Sequence, residues 1–87
     1  MLFQLGQVVV TPGVLQVVNQ GEIQGMLYRH CHGDWGMVCP EDAEENWLAL
    51  EQGFRIFSVY CSSMGIQVWV ITEADRSCTT VLLPEEY

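Results

Sequence analysis

The sequence has no lysine and only three arginines. Against these stand eleven carboxylates, which give the 87-residue chain a formal net charge of −8 at pH 7. Proteins that bind nucleic acid directly neutralise its phosphates with clustered lysine and arginine side chains, so this composition argues against direct nucleic-acid binding. The same charge would attract a protein that carries a basic surface.

Long hydrophobic runs are also missing. No stretch approaches the roughly 20 apolar residues of a membrane span, and residues 1–10 lack the basic start and long apolar run of a signal peptide. We therefore expect a cytoplasmic protein without membrane contact. The four cysteines form no C-x-x-C pair, and in a reducing compartment we expect free thiols.

Catalytic signatures are missing as well. The sequence contains no G-x-S-x-G motif, no phosphate-binding loop, no dinucleotide fingerprint and no local signature of a cysteine-histidine hydrolase. We therefore predict a protein that is not an enzyme, with no catalytic residues and no cofactor.

What the sequence does contain is material for a core. Hydrophobic residues make up 49% of the chain and charged residues 16%, with three each of Trp, Tyr and Phe. Disorder is not expected at this composition. Because 87 residues are too few for two ordinary domains, we predict one domain over residues 1–87.

The first half of the chain predicts one strand and two short helices. Residues 5–10 are apolar and rich in valine, which favours a strand. Thr11 can cap the following helix at 14–18, and Pro12 suits its first turn. Apolar residues at helical spacing predict a second helix over residues 22–30.

A third helix over residues 40–52 has the clearest pattern in the chain. Asp42 with Glu45 three residues later resembles a capping box, and Gly53 is placed to end the helix. The residues predicted to form its apolar face are Ala43, Trp47, Leu50 and Phe54.

After Gly53 the hydrophobic period changes from helical to alternating. Residues 54–61, 66–72 and 79–83 predict strands, and residues 62–65 predict a hairpin loop. The predicted fold class is α+β, in the order β-α-α-α-β-β-β. We expect an antiparallel sheet of three to four strands, packed on one face by two to three short helices.

The loop after the second helix contains possible metal ligands. His30, His32 and Asp34 are two residues apart, but a tetrahedral site needs a further ligand pair that the sequence does not place nearby, so we predict no metal. Asp34 and Trp35 lie between two glycines. They predict either an Asx-type turn with a core tryptophan or an exposed interface anchor.

Two charged segments allow a structural and a functional interpretation. In the turn at residues 73–77, Arg76 could pair locally with Asp75 or Glu73, or it could orient a carboxylate or phosphate of a ligand. The acidic run at 41–45 suits the positive end of a helix dipole, and it could also form one wall of an acidic patch.

Three stretches resemble a known family: QLGQVVVTPGVL, HGDWG and WVITEADRSCTTVLLPEEY. They are similar to small uncharacterised proteins of bacterial plasmids, integrated elements and phages, often labelled plasmid-related or restriction-related. The resemblance implies a mobile-element context, in which small acidic proteins block CRISPR effectors or restriction enzymes. It implies no catalytic mechanism. The cysteines depart from the family pattern, at Cys31, Cys39, Cys61 and Cys78.

The sequence therefore predicts an acidic protein-binding module, as an inhibitor of a host defence nuclease that occupies a basic nucleic-acid-binding surface. Trp35 or Trp47 would supply apolar anchorage. One alternative is a small-ligand or metal-binding domain that joins loop 30–34 to Asp75 and Arg76. Another is a homodimer through an exposed edge of the antiparallel strands. The predicted partner-binding residues are Asp34, Trp35, Glu41, Asp42, Glu44, Glu45, Glu51, Glu73, Asp75 and Arg76.

Overall fold

The computed structural model describes residues 1–87. Four strands, three α-helices and one turn of 3-10 helix form an α+β fold, which confirms the predicted class. In chain order the elements are β1 (Gln7–Val10), α1 (Pro12–Val17), α2 (Gln20–Cys31), α3 (Pro40–Gln52), β2 (Ile56–Cys61), β3 (Gln67–Thr72), β4 (Cys78–Leu82) and the 3-10 turn (Pro84–Glu86).

The sheet is mixed, so the prediction of a purely antiparallel sheet was wrong. Its strand order is β1-β4-β3-β2. β2, β3 and β4 form an antiparallel meander, whereas β1 pairs with β4 in parallel, with Val8 beside Thr79. The three helices carry the chain from β1 to the far edge of the sheet, and the meander then returns to β1 from the other side.

All three helices pack on one face of this sheet, called the inner face here. Two apolar clusters lie between the layers. The first cluster joins α1 and α2 to the sheet through Val14, Val18, Ile23, Met26, Tyr60, Val68, Val70 and Val81. The second joins the N-terminal segment and α3 to β2 through Phe3, Cys31, Trp35, Ala49 and Ile56.

Local sequence signals account for several element ends. The Thr11 side chain accepts a hydrogen bond from the Val14 N–H, as the predicted cap requires. Gly53 ends α3 in the left-handed region, with φ of 77°. The first strand starts at Gln7 and not at Leu5, because Gly6 also has a positive φ and lies against the Ser77 carbonyl group, where no Cβ would fit.

The predicted capping box of α3 was wrong, and its predicted apolar face was right only in part. The helix starts after Cys39, with Pro40 in its first turn and no side-chain cap. Its buried residues are Asn46 and Ala49, and the predicted Ala43 and Leu50 are half-buried against the second apolar cluster. Trp47 is 49% exposed and Phe54 is 51% exposed.

Asn46 explains the rotation of α3 about its axis. Its side chain accepts a hydrogen bond from the Phe57 N–H at 3.0 Å and donates one to the Phe57 carbonyl at 2.7 Å. These two bonds attach the helix to β2, and they satisfy a polar side chain that the helical pattern alone would place outside.

One edge of the sheet is covered by other backbone, and the other edge is open. Along β2, the Val59 N–H donates to the Trp35 carbonyl and the Met37 N–H donates to the Val59 carbonyl, so this edge is covered. The outer edge of β1 is left open, with Val8 and Val9 partly exposed. The free edge of the sheet is therefore that of β1. The homodimer alternative had predicted a free edge on the antiparallel strands. None of the helices is both long and apolar enough to cross a membrane.

Candidate functional site

Five carboxylates project from α3, and all of them are exposed. At 3.6 residues per turn, four of them fall on the side opposite the buried and half-buried residues of the helix, Ala43, Asn46, Ala49 and Leu50. Leu48, which is 43% exposed, lies among them, and Trp47 flanks them. This surface, called the acidic face here, consists of Glu41, Glu44, Glu45, Leu48 and Glu51. The fifth carboxylate, Asp42, lies in the first turn of the helix.

No arginine neutralises the acidic face. The chain has a single ion pair, in which the Arg29 guanidinium holds the Asp34 carboxylate at 2.7 Å and 3.3 Å. This bidentate contact lowers the pKa of Asp34. Arg55 and Arg76 have no carboxylate within ion-pair distance. The negative charge on α3 is therefore unpaired within the chain.

Arg76 is bound to the backbone of its own chain. Its guanidinium donates to the carbonyls of Phe54 at 2.6 Å and Ala49 at 2.9 Å, and to two carbonyls of its own turn. It therefore closes the C-terminal end of α3, where helix carbonyls lack partners. The predicted local ion pair with Asp75 or Glu73 is not formed, and both terminal nitrogens of the guanidinium, Nη1 and Nη2, donate to backbone carbonyls instead of to a ligand.

The turn around Arg76 lies at the end of α3. Asp75 accepts a hydrogen bond from the Ser77 N–H at 3.0 Å, and contacts with Ser77 lower its pKa. Glu73 is exposed. Because Arg76 ties this turn to Ala49, the carboxylates of Glu73 and Asp75 are held near the C-terminal end of α3.

The loop between α2 and α3 supports the structural interpretation of the HGDWG motif. Asp34 accepts a hydrogen bond from the Gly36 N–H at 3.2 Å, which is the predicted Asx-type turn. Trp35 is only 5% exposed and packs edge-on against Trp47, with ring centroids 5.3 Å apart. Trp35 thus belongs to the core, and the tryptophan that a partner can reach beside the acidic face is Trp47.

His30 is fully buried at the centre of a line of polar side chains. Its Nδ1 lies 2.6 Å from the Ser58 hydroxyl and its Nε2 lies 2.9 Å from the Thr72 hydroxyl. Thr72 then contacts Thr79 at 2.7 Å, and the Thr79 hydroxyl donates to the Leu5 carbonyl. This line is called the polar chain here.

The direction of every hydrogen bond in the polar chain follows from its last member. Because Thr79 donates to a carbonyl, it must accept from Thr72, which in turn accepts from Nε2–H of His30. The Ser58 hydroxyl then donates to Nδ1. Burial, with a smaller effect of Arg76, lowers the pKa of His30 to about 4, so the imidazole is neutral near pH 7.

The polar chain does not form a metal site. No group of three or more His, Cys, Asp or Glu side chains lies close enough together to hold a metal ion. His30 faces the core, whereas His32 is exposed, donates to the Tyr28 carbonyl and stacks on the Tyr28 ring. The predicted ligand set of loop 30–34 is therefore not assembled. All four cysteines are free thiols.

The opposite face of the sheet, called the outer face here, has a cavity that the sequence reasoning missed. It has a volume of about 230 Å³. The strands contribute its walls, and the last residue of the chain closes one side. Alternating aromatic and β-branched residues in β2 and β3 were a usable signal for it. The lining residues are Arg55, Phe57, Trp69, Ile71 and Tyr87.

No protein-family model, curated protein or solved structure matches this chain.

Proposed function

We propose that the protein is a non-enzymatic acidic module that binds a protein partner through the acidic face of α3. The observation that carries this proposal is the set of four exposed carboxylates around Leu48 without a counter-ion in the chain. A buried or paired set would have a structural explanation. An unpaired set on one side of a helix creates a local negative potential that attracts a basic surface.

Apolar side chains among the carboxylates provide binding affinity, which long-range electrostatic attraction alone does not provide. Long-range attraction raises association rates, but affinity depends mainly on a few apolar or aromatic anchors that become fully desolvated. Leu48 and Trp47 are each nearly half exposed at this place. We expect them to enter the centre of the interface, with the carboxylates at its rim.

We further propose that the partner is a host defence nuclease, of the CRISPR or restriction type, whose basic nucleic-acid-binding surface is occupied by α3. The net charge of −8 supports such a partner, because these enzymes hold nucleic acid in positively charged channels. The resemblance to mobile-element proteins supports the same class. We place the encounter in the cytoplasm, a reducing compartment in which four free cysteines persist.

The proposal of a protein without catalytic activity is supported by the position of the polar chain. Ser58 and His30 have the separation of a nucleophile and its base, but both side chains are fully buried. A substrate has no route to them in this fold. Ser58 and His30 also bond to each other, and the second ring nitrogen of His30 bonds to Thr72.

The direct test is inhibition of purified nucleases by matched variants. We would measure DNA cleavage by an RNA-guided nuclease and by a restriction endonuclease, with increasing amounts of the protein. The variant Glu44→Gln/Glu51→Gln should require at least about tenfold more protein for half inhibition, since it removes two charges from the acidic face. The control Glu22→Gln/Glu85→Gln changes the net charge equally, and the single side-chain oxygen of glutamine at position 22 can still accept the 2.7 Å hydrogen bond from the Ser63 N–H.

The control should behave like the wild type. Equal weakening by both variants would mean that total charge, and not the acidic face, determines binding. If neither nuclease is inhibited by the wild-type protein, the assignment of the partner is wrong.

A further inference from the structure

We propose that the outer-face cavity binds a small aromatic molecule carrying a single carboxylate, which would stack against Trp69 and bond to Arg55. This site lies on the side of the sheet away from the helices, so the inference does not depend on the acidic face or its partner.

The walls of the cavity are suited to a flat apolar ring. Phe57 and Trp69 meet edge to face, with centroids 5.1 Å apart, and Tyr87 meets Trp69 at 5.6 Å. Ile71 is directly opposite Phe57 across the β2–β3 pair and is buried. Three aromatic rings and an isoleucine thus surround a space of about 230 Å³, which is smaller than most drug-binding pockets and fits a fragment-sized ligand.

Arg55 provides the charge that selects an anion. Its Nη2 donates to the Tyr87 hydroxyl at 2.9 Å, and the structure shows no other hydrogen bond from its guanidinium. The hydroxyl oxygen already accepts from Arg55, so its own proton is free to donate outward. A carboxylate at this position could therefore accept from the planar guanidinium and from Tyr87 together.

The other two arginines show why Arg55 is different. Arg29 holds Asp34 with two bonds, and Arg76 donates to four backbone carbonyls. Each has a structural task that uses its donors. Arg55 lies beside an apolar cavity with most of its donors unused, and Glu73, which contributes to raising its pKa after the larger effect of Tyr87, is not within ion-pair distance.

The charge of the whole chain limits the ligand to one negative charge. A field of −8 repels anions at long range, and the repulsion doubles for a dianion while a single guanidinium compensates for only one charge. A monocarboxylate should therefore bind better than a phosphate monoester of the same ring.

The experiment is an NMR titration of the ¹⁵N-labelled full chain with indole-3-acetate, with indole-3-acetamide as its neutral counterpart. We expect a Kd on the order of 1 mM for the carboxylate, as for a fragment-sized ligand. Shifts should concentrate in β2, β3 and the indole N–H of Trp69. The amide should bind at least about tenfold more weakly, because it loses the charge-assisted bond.

Matched variants distinguish binding in the cavity from a general effect of net charge. Arg55→Gln should weaken indole-3-acetate about tenfold or more, whereas Arg29→Gln removes the same charge on the helix side and should leave the Kd unchanged. Arg55→Lys should retain part of the affinity, since it keeps the charge and loses the planar fork. Circular dichroism on each variant would verify that it is folded.

Three results would overturn the inference. The first is the absence of saturable shifts at about ten times the expected Kd. The second is equal affinity for the acid and the amide, or for wild type and Arg55→Gln. The third is equal or tighter binding of phenyl phosphate than of benzoate, which would contradict the preference for one charge.

Discussion

The two faces of the sheet use their polar groups in opposite ways. On the inner face, Ser58, His30, Thr72 and Thr79 bond to one another and end on a backbone carbonyl, so nothing is left to bind a ligand. On the outer face, Arg55 makes one hydrogen bond and borders a cavity. Polar side chains therefore stabilise the fold on the inner face, whereas on the outer face a polar side chain is available to bind another molecule.

The largest expected effect comes from breaking the polar chain. His30→Ala should destabilise the fold by about 3–5 kcal/mol, because it opens a cavity and leaves Ser58 and Thr72 without their partner. The measurement is urea unfolding followed by circular dichroism. His32→Ala, at the exposed neighbour, should cost under about 1 kcal/mol. Similar losses in the two variants would contradict the structural role of the polar chain.

Acid should weaken the fold through the same histidine. In the unfolded chain His30 titrates near pH 6.5, whereas burial lowers its pKa in the fold to about 4. Between these values the unfolded state binds a proton that the folded state does not, so stability is full above pH 6.5 and falls by about 3 kcal/mol towards pH 4. Denaturant midpoints at several pH values measure this slope. His30→Gln should flatten it between pH 5 and pH 6.5, and an unchanged slope would contradict the assignment.

An intermediate effect is expected at Arg76, which bonds the turn after β3 to the end of α3. Arg76→Ala should destabilise the protein by about 2 kcal/mol through loss of the bonds to the Ala49 and Phe54 carbonyls. Arg76→Gly relieves the positive φ of 61° and still lacks those bonds. If thermal unfolding showed the glycine variant to be as stable as the wild type, the capping role would be wrong.

The smallest effect is expected for the exposed ion pair between Arg29 and Asp34. Asp34→Asn removes the charge but keeps an oxygen that can accept from the Gly36 N–H. Both side chains are about half exposed, so the loss should be under about 1 kcal/mol and should shrink at high salt. Chemical denaturation at low and high salt measures this loss. A loss of stability as large as that of Arg76→Ala would contradict a minor contribution of the ion pair.

Local signals in the sequence predicted the elements that depend on neighbouring residues. The bounds of α3 at Pro40 and Gln52, its end at Gly53 and the cap at Thr11 agree with the structure. Each depends on residues within one turn of one another. The proline and glycine positions are decisive there, because their backbone preferences do not depend on the rest of the fold.

Contacts between distant residues were not predictable from those signals. The parallel pairing of β1 with β4, and the bonds of Asn46 to Phe57, depend on how separate elements meet. The polar chain joins residues 28 and 42 positions apart, so the sequence could suggest a metal ligand at His30 but not its burial. Arg55 and Tyr87, 32 residues apart, were missed for the same reason.

The sequence assigned five carboxylates to α3, but it did not show how they lie relative to the apolar residues of the helix. Of the four residues predicted to form the apolar face, Ala43 and Leu50 are half-buried against the core, whereas Trp47 and Phe54 are each about half exposed. The bonds from Asn46 rotate the helix, so Trp47 instead flanks the carboxylates. Apolar anchorage beside the acidic face is thus a property of the folded chain.

The most direct test of the proposed binding surface is hydrogen exchange of the protein with and without a purified RNA-guided nuclease. Slower exchange should appear in the amides of α3, while the amides of β2 and β3 around the outer-face cavity keep their free rates. Unchanged exchange in α3, with no binding or with protection elsewhere, would contradict a docking role for the acidic face.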